Sequence, residues 1–274
     1  MPELPEVETI SRDLRGLLVG RTIEGVTVAW EGCLDRPSAD AFCSQVVGCR
    51  IEGVGRRGKF LVLTLSSGWA LLVHLRMTGS LLVREGGAPW QTHERLSFQL
   101  DDGKELRFVS VRKFGRLYLV EDPDEVLGDL GPEPLHEGFS LSDFRTLMEN
   151  RRGMIKPLLL NQRFVAGLGN IYVDESLFRA RIHPRRAADT LTVDELGRLY
   201  DAIREVLREA IVNQGTSRSD YVRPNGSEGT HQEMLLVSGK AGERCPRCGA
   251  EIERIVVGGR GTYVCPVCQK APAS

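Results

Sequence analysis

Hydrophobic periodicity changes once along these 274 residues, and the change divides the chain into two kinds of structure. From Arg21 to about Tyr118 the apolar residues come in short runs broken by glycine-containing turns. Phe60–Leu65 and Trp69–Leu75 flank Ser66-Ser67-Gly68, and Leu96–Leu100 and Leu106–Val109 flank Asp101-Asp102-Gly103. Both are hairpin signals. Ile23, Val26 and Val28 mark a further strand, and Leu117–Val120 another. Short strands at regular spacing predict an antiparallel sandwich or barrel-like domain. After residue 137 the period becomes helical, over Leu141–Glu149, Ile155–Gln162, Ile171–Ala180 and Val193–Val212. Thr192 with Glu195 predicts a capping box for the last of these. The stretch 121–137 is acidic and rich in Gly and Pro, so it reads as a linker. The fold class expected is α+β and multidomain: an N-terminal helix with an antiparallel β-sandwich over 1–121, a linker over 122–137, a helical domain over 138–239, and a small module over 240–274.

That last module carries the strongest motif. Cys245-Pro246-Arg247-Cys248 and Cys265-Pro266-Val267-Cys268 form C-x2-C-x16-C-x2-C. Two such knuckles can present four thiolates tetrahedrally, which suits one structural zinc ion. Between them, Ile252–Val257 and Thr262–Val264 read as a hairpin turned by Gly258-Gly259-Arg260-Gly261. The glycines allow close approach to a ligand with Arg260 aimed outward; a solvated turn arginine explains the pattern equally well. Cys33, Cys43 and Cys49 have no ligand spacing and read as reduced thiols.

The chain opens Met1-Pro2-Glu3-Leu4-Pro5-Glu6-Val7-Glu8. Val7, Ile10, Leu14, Leu17 and Leu18 recur at helical spacing, so a helix begins near Leu4 or Pro5. Helix-start chemistry accounts for Pro5 and for the nearby carboxylates. It does not account for Pro2. Removal of Met1 would leave Pro2 with a secondary amine that can attack an electrophilic carbon, and Glu3 lies beside it as a proton donor. An α-amino group titrates at about 7.7–8.0, so much of it is unprotonated near neutrality.

Basic clusters occur at Arg56-Arg57-Gly58-Lys59 and at Arg112-Lys113-Phe114-Gly115-Arg116, and Met77 follows a strand bearing His74 and Arg76. Exposed Met or Phe among cations resembles a wedge that enters a base stack; a core Met and a core Phe are the commoner outcome. Gly167-Leu168-Gly169-Asn170-Ile171 joins two helical segments, with Asn170 as an N-cap or its N–H groups cradling a phosphate. Residues 215–229, with Ser, Asn, Gly and Pro, read as a mobile loop. The net charge of −1 and pI near 6.5 give no bulk attraction for polyanions, so any nucleic-acid face must be local. No apolar run reaches the length of a membrane span, and no basic leader precedes one. A cytoplasmic protein is expected, and nothing signals oligomerisation beyond a monomer.

Taken in order, the opening eight residues, Gly58-Lys59-Phe60, His74-Leu75-Arg76-Met77, Val111-Arg112-Lys113-Phe114-Gly115, Leu130-Gly131-Pro132-Glu133-Pro134-Leu135, Ala166–Glu175 and the four-cysteine tail closely resemble the bacterial formamidopyrimidine-DNA glycosylases. That family also contains endonuclease VIII. The resemblance spans nearly the whole chain. It implies a helix–two-turn–helix domain and a zinc finger, and a DNA repair glycosylase with abasic-site lyase activity. Its partner would be duplex DNA carrying an oxidised base or an abasic site. Pro2 would be the nucleophile, Glu3 the general acid, Glu6 a supporting carboxylate, and Lys59 a contact to the phosphate flanking the lesion. Met77, Arg112 and Phe114 would fill the gap left by the flipped nucleotide, with His74 alongside them at the DNA. Asn170 and Arg260 would grip phosphates, and residues near 215–229 would cap the everted base. The opening Glu-Leu-Pro-Glu-Val-Glu favours oxidised purines such as 8-oxoguanine over the oxidised pyrimidines of the endonuclease VIII branch. A non-catalytic zinc-finger protein for damaged DNA is the remaining alternative. Thr230-His231-Gln232 and Ser238-Gly239-Lys240 depart from the family's usual Thr-Phe-Gln and Tyr-Gly-Arg, and both lie close to the capping loop.

Overall fold

Leu4–Leu18 forms the first helix, α1, and its apolar stripe determines what it packs on. Val7, Ile10, Leu14 and Leu18 lie three or four residues apart, share one face, and are all buried. They join the core of a β-sandwich. The computed structural model describes residues 1–218 and 220–272. These fall into two units: Met1–Asp129 with Asn213–Gln232, and Leu130–Val212 with Glu233–Ser274.

In the first unit, β1 (Ile23–Val28), β2 (Leu34–Arg36), α2 (Ala39–Val46), β3 (Ile51–Arg57), β4 (Phe60–Leu65), β5 (Ala70–His74), β6 (Gly79–Glu85), β7 (Glu94–Leu100), β8 (Lys104–Ser110) and β9 (Arg116–Val120) follow in order. One sheet has the order β1-β7-β8-β6 and the other β2-β9-β5-β4-β3. Leu96, Phe98, Leu106 and Phe108 from the first and Leu61, Leu63, Leu71, Val73, Leu117 and Leu119 from the second meet in one core. Both hairpins expected from the sequence are present, β4 with β5 and β7 with β8. The strands pair antiparallel except β2 and β9, which run parallel. Periodicity did not reveal β3 or β6. Gly53, Gly55, Arg56 and Arg57 blur the alternation of β3. β6 starts at Gly79, where a Cβ would lie 2.3 Å from the Leu75 carbonyl oxygen.

A short helix, α3 (Asp124–Leu127), occupies part of the expected linker. The second unit holds α4 (Leu141–Met148), α5 (Ile155–Leu160), α6 (Asn170–Ala180) and α7 (Val193–Val212), then β10 (Glu253–Val257) paired with β11 (Arg260–Val264). The expected capping box forms: the Thr192 N–H donates to Glu195 Oε2 at 2.8 Å, and the Glu195 N–H to Thr192 Oγ1 at 3.2 Å. No helix among the described residues is long and apolar enough to cross a membrane.

Three expectations change. Asn170 is the first residue of α6, and the N-cap is Gly169 in extended geometry. Arg260 is the first residue of β11, facing Val257 across the hairpin. The turn is Gly258-Gly259 alone, with φ of 56° and 74°; two positive φ values suit a two-residue hairpin turn and the twist of its strands. The stretch 215–229 groups with the first unit, apart from the helices among which the sequence placed it.

Candidate functional site

In the first unit the N-terminus is built around two buried carboxylates. Pro2 is buried, and Met1 before it is 49% exposed. With Met1 attached the Pro2 nitrogen is an amide and has no nucleophilic lone pair. Glu3 and Glu6 are 3% and 2% exposed. Glu6 Oε2 accepts the Glu3 N–H at 2.7 Å and Glu6 Oε1 accepts the Thr216 N–H at 2.8 Å. One carboxylate therefore ties the start of α1 to a segment more than two hundred residues later. Gly215 makes the approach possible: its φ is +82°, and a Cβ there would lie 3.0 Å from Glu6 Cγ and Oε1.

The same segment is anchored further on. Tyr221 enters the sandwich core and donates to the Gln214 carbonyl at 3.0 Å. Burial, with Glu6 and Asp13 nearby, pushes its hydroxyl pKa upward. The Arg223 guanidinium holds both oxygens of Asp13 at 2.8 Å. The stretch is thus not the unanchored loop its composition implies; Ser219 lies outside the described residues. Thr216, Tyr221, Asp13 and Arg223 were invisible in the sequence because each owes its place to a partner some 200 residues away.

The first basic cluster is split by the fold. Arg56 turns inward to Glu8 Oε2 at 2.9 Å. Burial alone would raise the Glu8 pKa, but Arg56 and Arg12 hold it below the usual carboxylate range. Lys59 follows Gly58, which takes φ 56° in the two-residue turn between β3 and β4, and it is 6% exposed. His74 ends β5 opposite Phe60, with the rings edge-on at 4.5 Å. Its Nδ1 accepts the Arg76 N–H at 3.0 Å. Burial, reinforced by Arg76 and Lys59, pushes its pKa down to about 3, so the ring is neutral with its hydrogen on Nε2.

Met77 and Phe114 are 43% and 52% exposed, so a core role for either is rejected. Two neighbouring loops present them. The Arg112 N–H donates to Thr78 Oγ1 at 3.1 Å, and Arg112 Nη1 lies 3.7 Å from Met77 Sδ. Gly115 seats the second loop: a Cβ there would meet the Phe108 ring at 2.4 Å. Lys113 and Arg116, on either side of Phe114, lie over the Trp30 ring at 5.2 and 5.7 Å. An apolar tip on a cationic collar is the form of a stacking wedge.

The second unit holds the remaining candidates. Asn170 Nδ2 donates to the Gly261 carbonyl at 2.9 Å, one residue past Arg260. Cys245, Cys248, Cys265 and Cys268 converge, with all four sulfurs within 4.8 Å of one another. The Cys245–Cys268 and Cys248–Cys265 separations are 3.9 and 3.4 Å. A tetrahedral site with Zn–S near 2.3 Å needs sulfurs about 3.8 Å apart. The four cysteines therefore fit one zinc ion with no ligand position left open, which is a structural site. Burial pushes the Cys33 thiol up to about 11, in keeping with an inert thiol outside this set.

Comparison with known proteins matches the formamidopyrimidine-DNA glycosylase N-terminal domain over residues 1–117, the formamidopyrimidine-DNA glycosylase H2TH domain over 130–221, and the zinc finger found in FPG and IleRS over 242–271. The chain is 45% identical to the formamidopyrimidine-DNA glycosylase of Protochlamydia amoebophila, covering 98% of this chain and all of that one. Its fold is similar to that of a Lactococcus lactis FPG mutant in complex with Fapy-dG-containing DNA, at TM-score 0.93 and 40% identity. It is also similar to the wild-type Lactococcus lactis enzyme in complex with oxidised-pyrimidine DNA, at TM-score 0.92 and 39% identity. Each comparison covers 98% of this chain and 100% of the other.

Proposed function

The chain belongs to the formamidopyrimidine-DNA glycosylase family, and from that membership we propose that it is a base-excision repair enzyme that removes oxidised purines, 8-oxoguanine and formamidopyrimidines among them, from duplex DNA and then cleaves the strand as an abasic-site lyase. The observation that carries the chemistry is Pro2 set directly before the buried Glu3, whose backbone is pinned by Glu6. Loss of Met1 turns the Pro2 amide into a secondary amine at that position.

The steps follow from that amine. Its lone pair forms a bond to C1′ of the extruded nucleotide, and the glycosidic bond breaks with its electron pair leaving on the base. The base takes up a proton as the amine gives up its N–H proton and regains a lone pair. Glu3 gives its proton to the deoxyribose ring oxygen, the C1′–O4′ bond opens, and an iminium joins Pro2 to the sugar. The iminium acidifies C2′; loss of that proton expels the 3′-phosphate, and a second elimination expels the 5′-phosphate. Water then hydrolyses the iminium and returns the amine. Glu6 holds Glu3 and the 216 backbone in place, and Lys59 binds the phosphate beside the lesion.

A base inside a duplex is unreachable, so it must be flipped out at a cost of a few kcal/mol. Met77, Arg112 and Phe114 offset that cost by filling the vacated stack, with Arg112 facing the orphaned base and the neutral His74 behind them at the DNA. Asn170 and Arg260 take phosphates. The protein acts as a monomer in the cytoplasm. A second reading, the same chemistry on oxidised pyrimidines, is favoured by one observation: a Lactococcus lactis relative is known in complex with such DNA.

Borohydride reduction during turnover tests the route, because it converts the iminium to a stable amine. Intact mass of the trapped species should equal the chain without Met1 plus the sugar-bearing strand, with the linkage at Pro2. No trapping on a chain shown to lack Met1 overturns the proposal. Incision of 8-oxoguanine opposite cytosine, set beside thymine glycol opposite adenine, separates the two substrate readings.

A further inference from the structure

One group of charges in the second unit has no part in the proposed reaction. Lys156 on α5 and Asp174 on α6 are both fully buried, with Nζ 2.7 Å from Oδ1. Taking two charges out of water is costly unless further hydrogen bonds satisfy them, so such a pair is weak evidence for stability and a better pointer to geometry. Burial pushes the Asp174 carboxyl up to about 7 even beside the lysine.

Both charges reach past each other to the zinc-finger hairpin. Lys156 Nζ also donates to the Gly261 carbonyl at 3.3 Å, and Asp174 Oδ2 accepts the Tyr263 N–H at 3.2 Å. Asn170, one helical turn before Asp174 on the same face of α6, donates to that same Gly261 carbonyl. The turn of the hairpin lies close to α5, where a Cβ on Gly258 would meet Pro157 Cγ at 2.7 Å. The cysteines cannot do this work. The nearest on β11's side, Cys265, is five residues from Arg260, roughly 16 Å along an extended chain. Zinc would secure the base of the hairpin and leave its tip free to slide.

We propose that Asp174 is a positioning residue for the phosphate grip, setting the register of β11 against α6 so that Asn170 and Arg260 stand at a constant spacing for the DNA backbone. The proposal rests on the reading that Asn170 and Arg260 bind phosphates. A residue that only stabilises the fold would change melting; a residue that positions the grip changes how many phosphates are neutralised.

The test uses the full zinc-loaded chain and a duplex carrying a tetrahydrofuran abasic analogue. Asp174→Asn should keep its zinc and weaken binding by roughly 5–30-fold. The slope of log K against log salt should fall in magnitude by about one to two. Combined with Arg260→Ala the losses should be less than additive, since both remove the same contact. Should Asp174→Asn lose zinc or melt, the paired variant Lys156→Met with Asp174→Leu removes both charges together; it should regain zinc and still bind with the reduced slope. Wild-type affinity and slope in either zinc-loaded variant, or full additivity with Arg260→Ala, overturns the proposal. Unchanged affinity in Arg260→Ala alone would instead remove the phosphate reading on which it stands.

Discussion

Glu6 and Thr216 are joined by a 2.8 Å hydrogen bond from the Thr216 N–H to Glu6 Oε1, while Glu6 Oε2 takes the Glu3 N–H. A single buried carboxylate thus governs both the residue next to Pro2 and the start of the segment proposed to cap the everted base. Glu6→Gln turns one acceptor into a donor facing an N–H. Leaving a buried donor unsatisfied costs about 1–3 kcal/mol. Thermal unfolding should show that loss, and single-turnover excision should fall with it. Full excision at a lowered melting temperature would separate Glu6 from the chemistry.

Gly215 depends on the same contact. Its φ of +82° is strained for any side chain, and a methyl group there would press on Glu6 at 3.0 Å and on Tyr221 at 3.1 Å. Gly215→Ala should destabilise the first unit by about 1–3 kcal/mol through backbone strain alone. Gly226 also has positive φ, 86°, but nothing stands within 4 Å of its would-be Cβ. Urea unfolding of the two alanine variants should rank Gly215→Ala as the less stable; equal midpoints would contradict the crowding argument.

Phe114 is exposed and supports no core, so its removal should spare the fold. We expect Phe114→Ala to unfold within about 0.5 kcal/mol of wild type. Excision from a duplex should nonetheless drop on the order of tenfold, about 1.4 kcal/mol of barrier, with a smaller drop on an abasic site that needs no base extruded. Equal losses on both substrates would argue against a wedge.

His74 titrates near 6.5 in an unfolded chain and near 3 in the folded one. Between those values the unfolded state binds the extra proton. Its contribution is therefore fully present above pH 6.5 and is lost as pH falls toward 3. His74→Asn keeps an acceptor for the Arg76 N–H without the titration. Its stability should fall less steeply than wild type from pH 6.5 downward, and parallel curves would show that His74 does not titrate there.

Removing zinc with a chelator should release the four-cysteine module and weaken DNA binding at least tenfold, about 1.4 kcal/mol, while the sandwich stays folded. Anisotropy with labelled duplex reads the first and circular dichroism the second. Undiminished affinity in metal-free protein would remove the finger from the binding surface.

Local order was sufficient for much of this molecule. The change of period near residue 121, the two glycine-turned hairpins, the capping box at Thr192 and the spacing of Cys245, Cys248, Cys265 and Cys268 are written in neighbouring residues, because turns, caps and metal knuckles are short-range devices. The opening residues and the ordered series of motifs carried the family resemblance on their own. What only the tertiary structure decided are relations between distant positions. Gly169 is the cap of α6 and Asn170 its first residue because the chain enters extended there. Arg56 pairs with Glu8 across 48 residues, and Lys59 is buried in the turn after β3. Met77 and Phe114 are exposed in the loops that follow β5 and β8. Segment 213–232 belongs with the sandwich, and Lys156 finds Asp174 eighteen positions later. Burial and pairing depend on which surfaces meet, and that is settled by packing across the whole fold, which no local window of sequence contains.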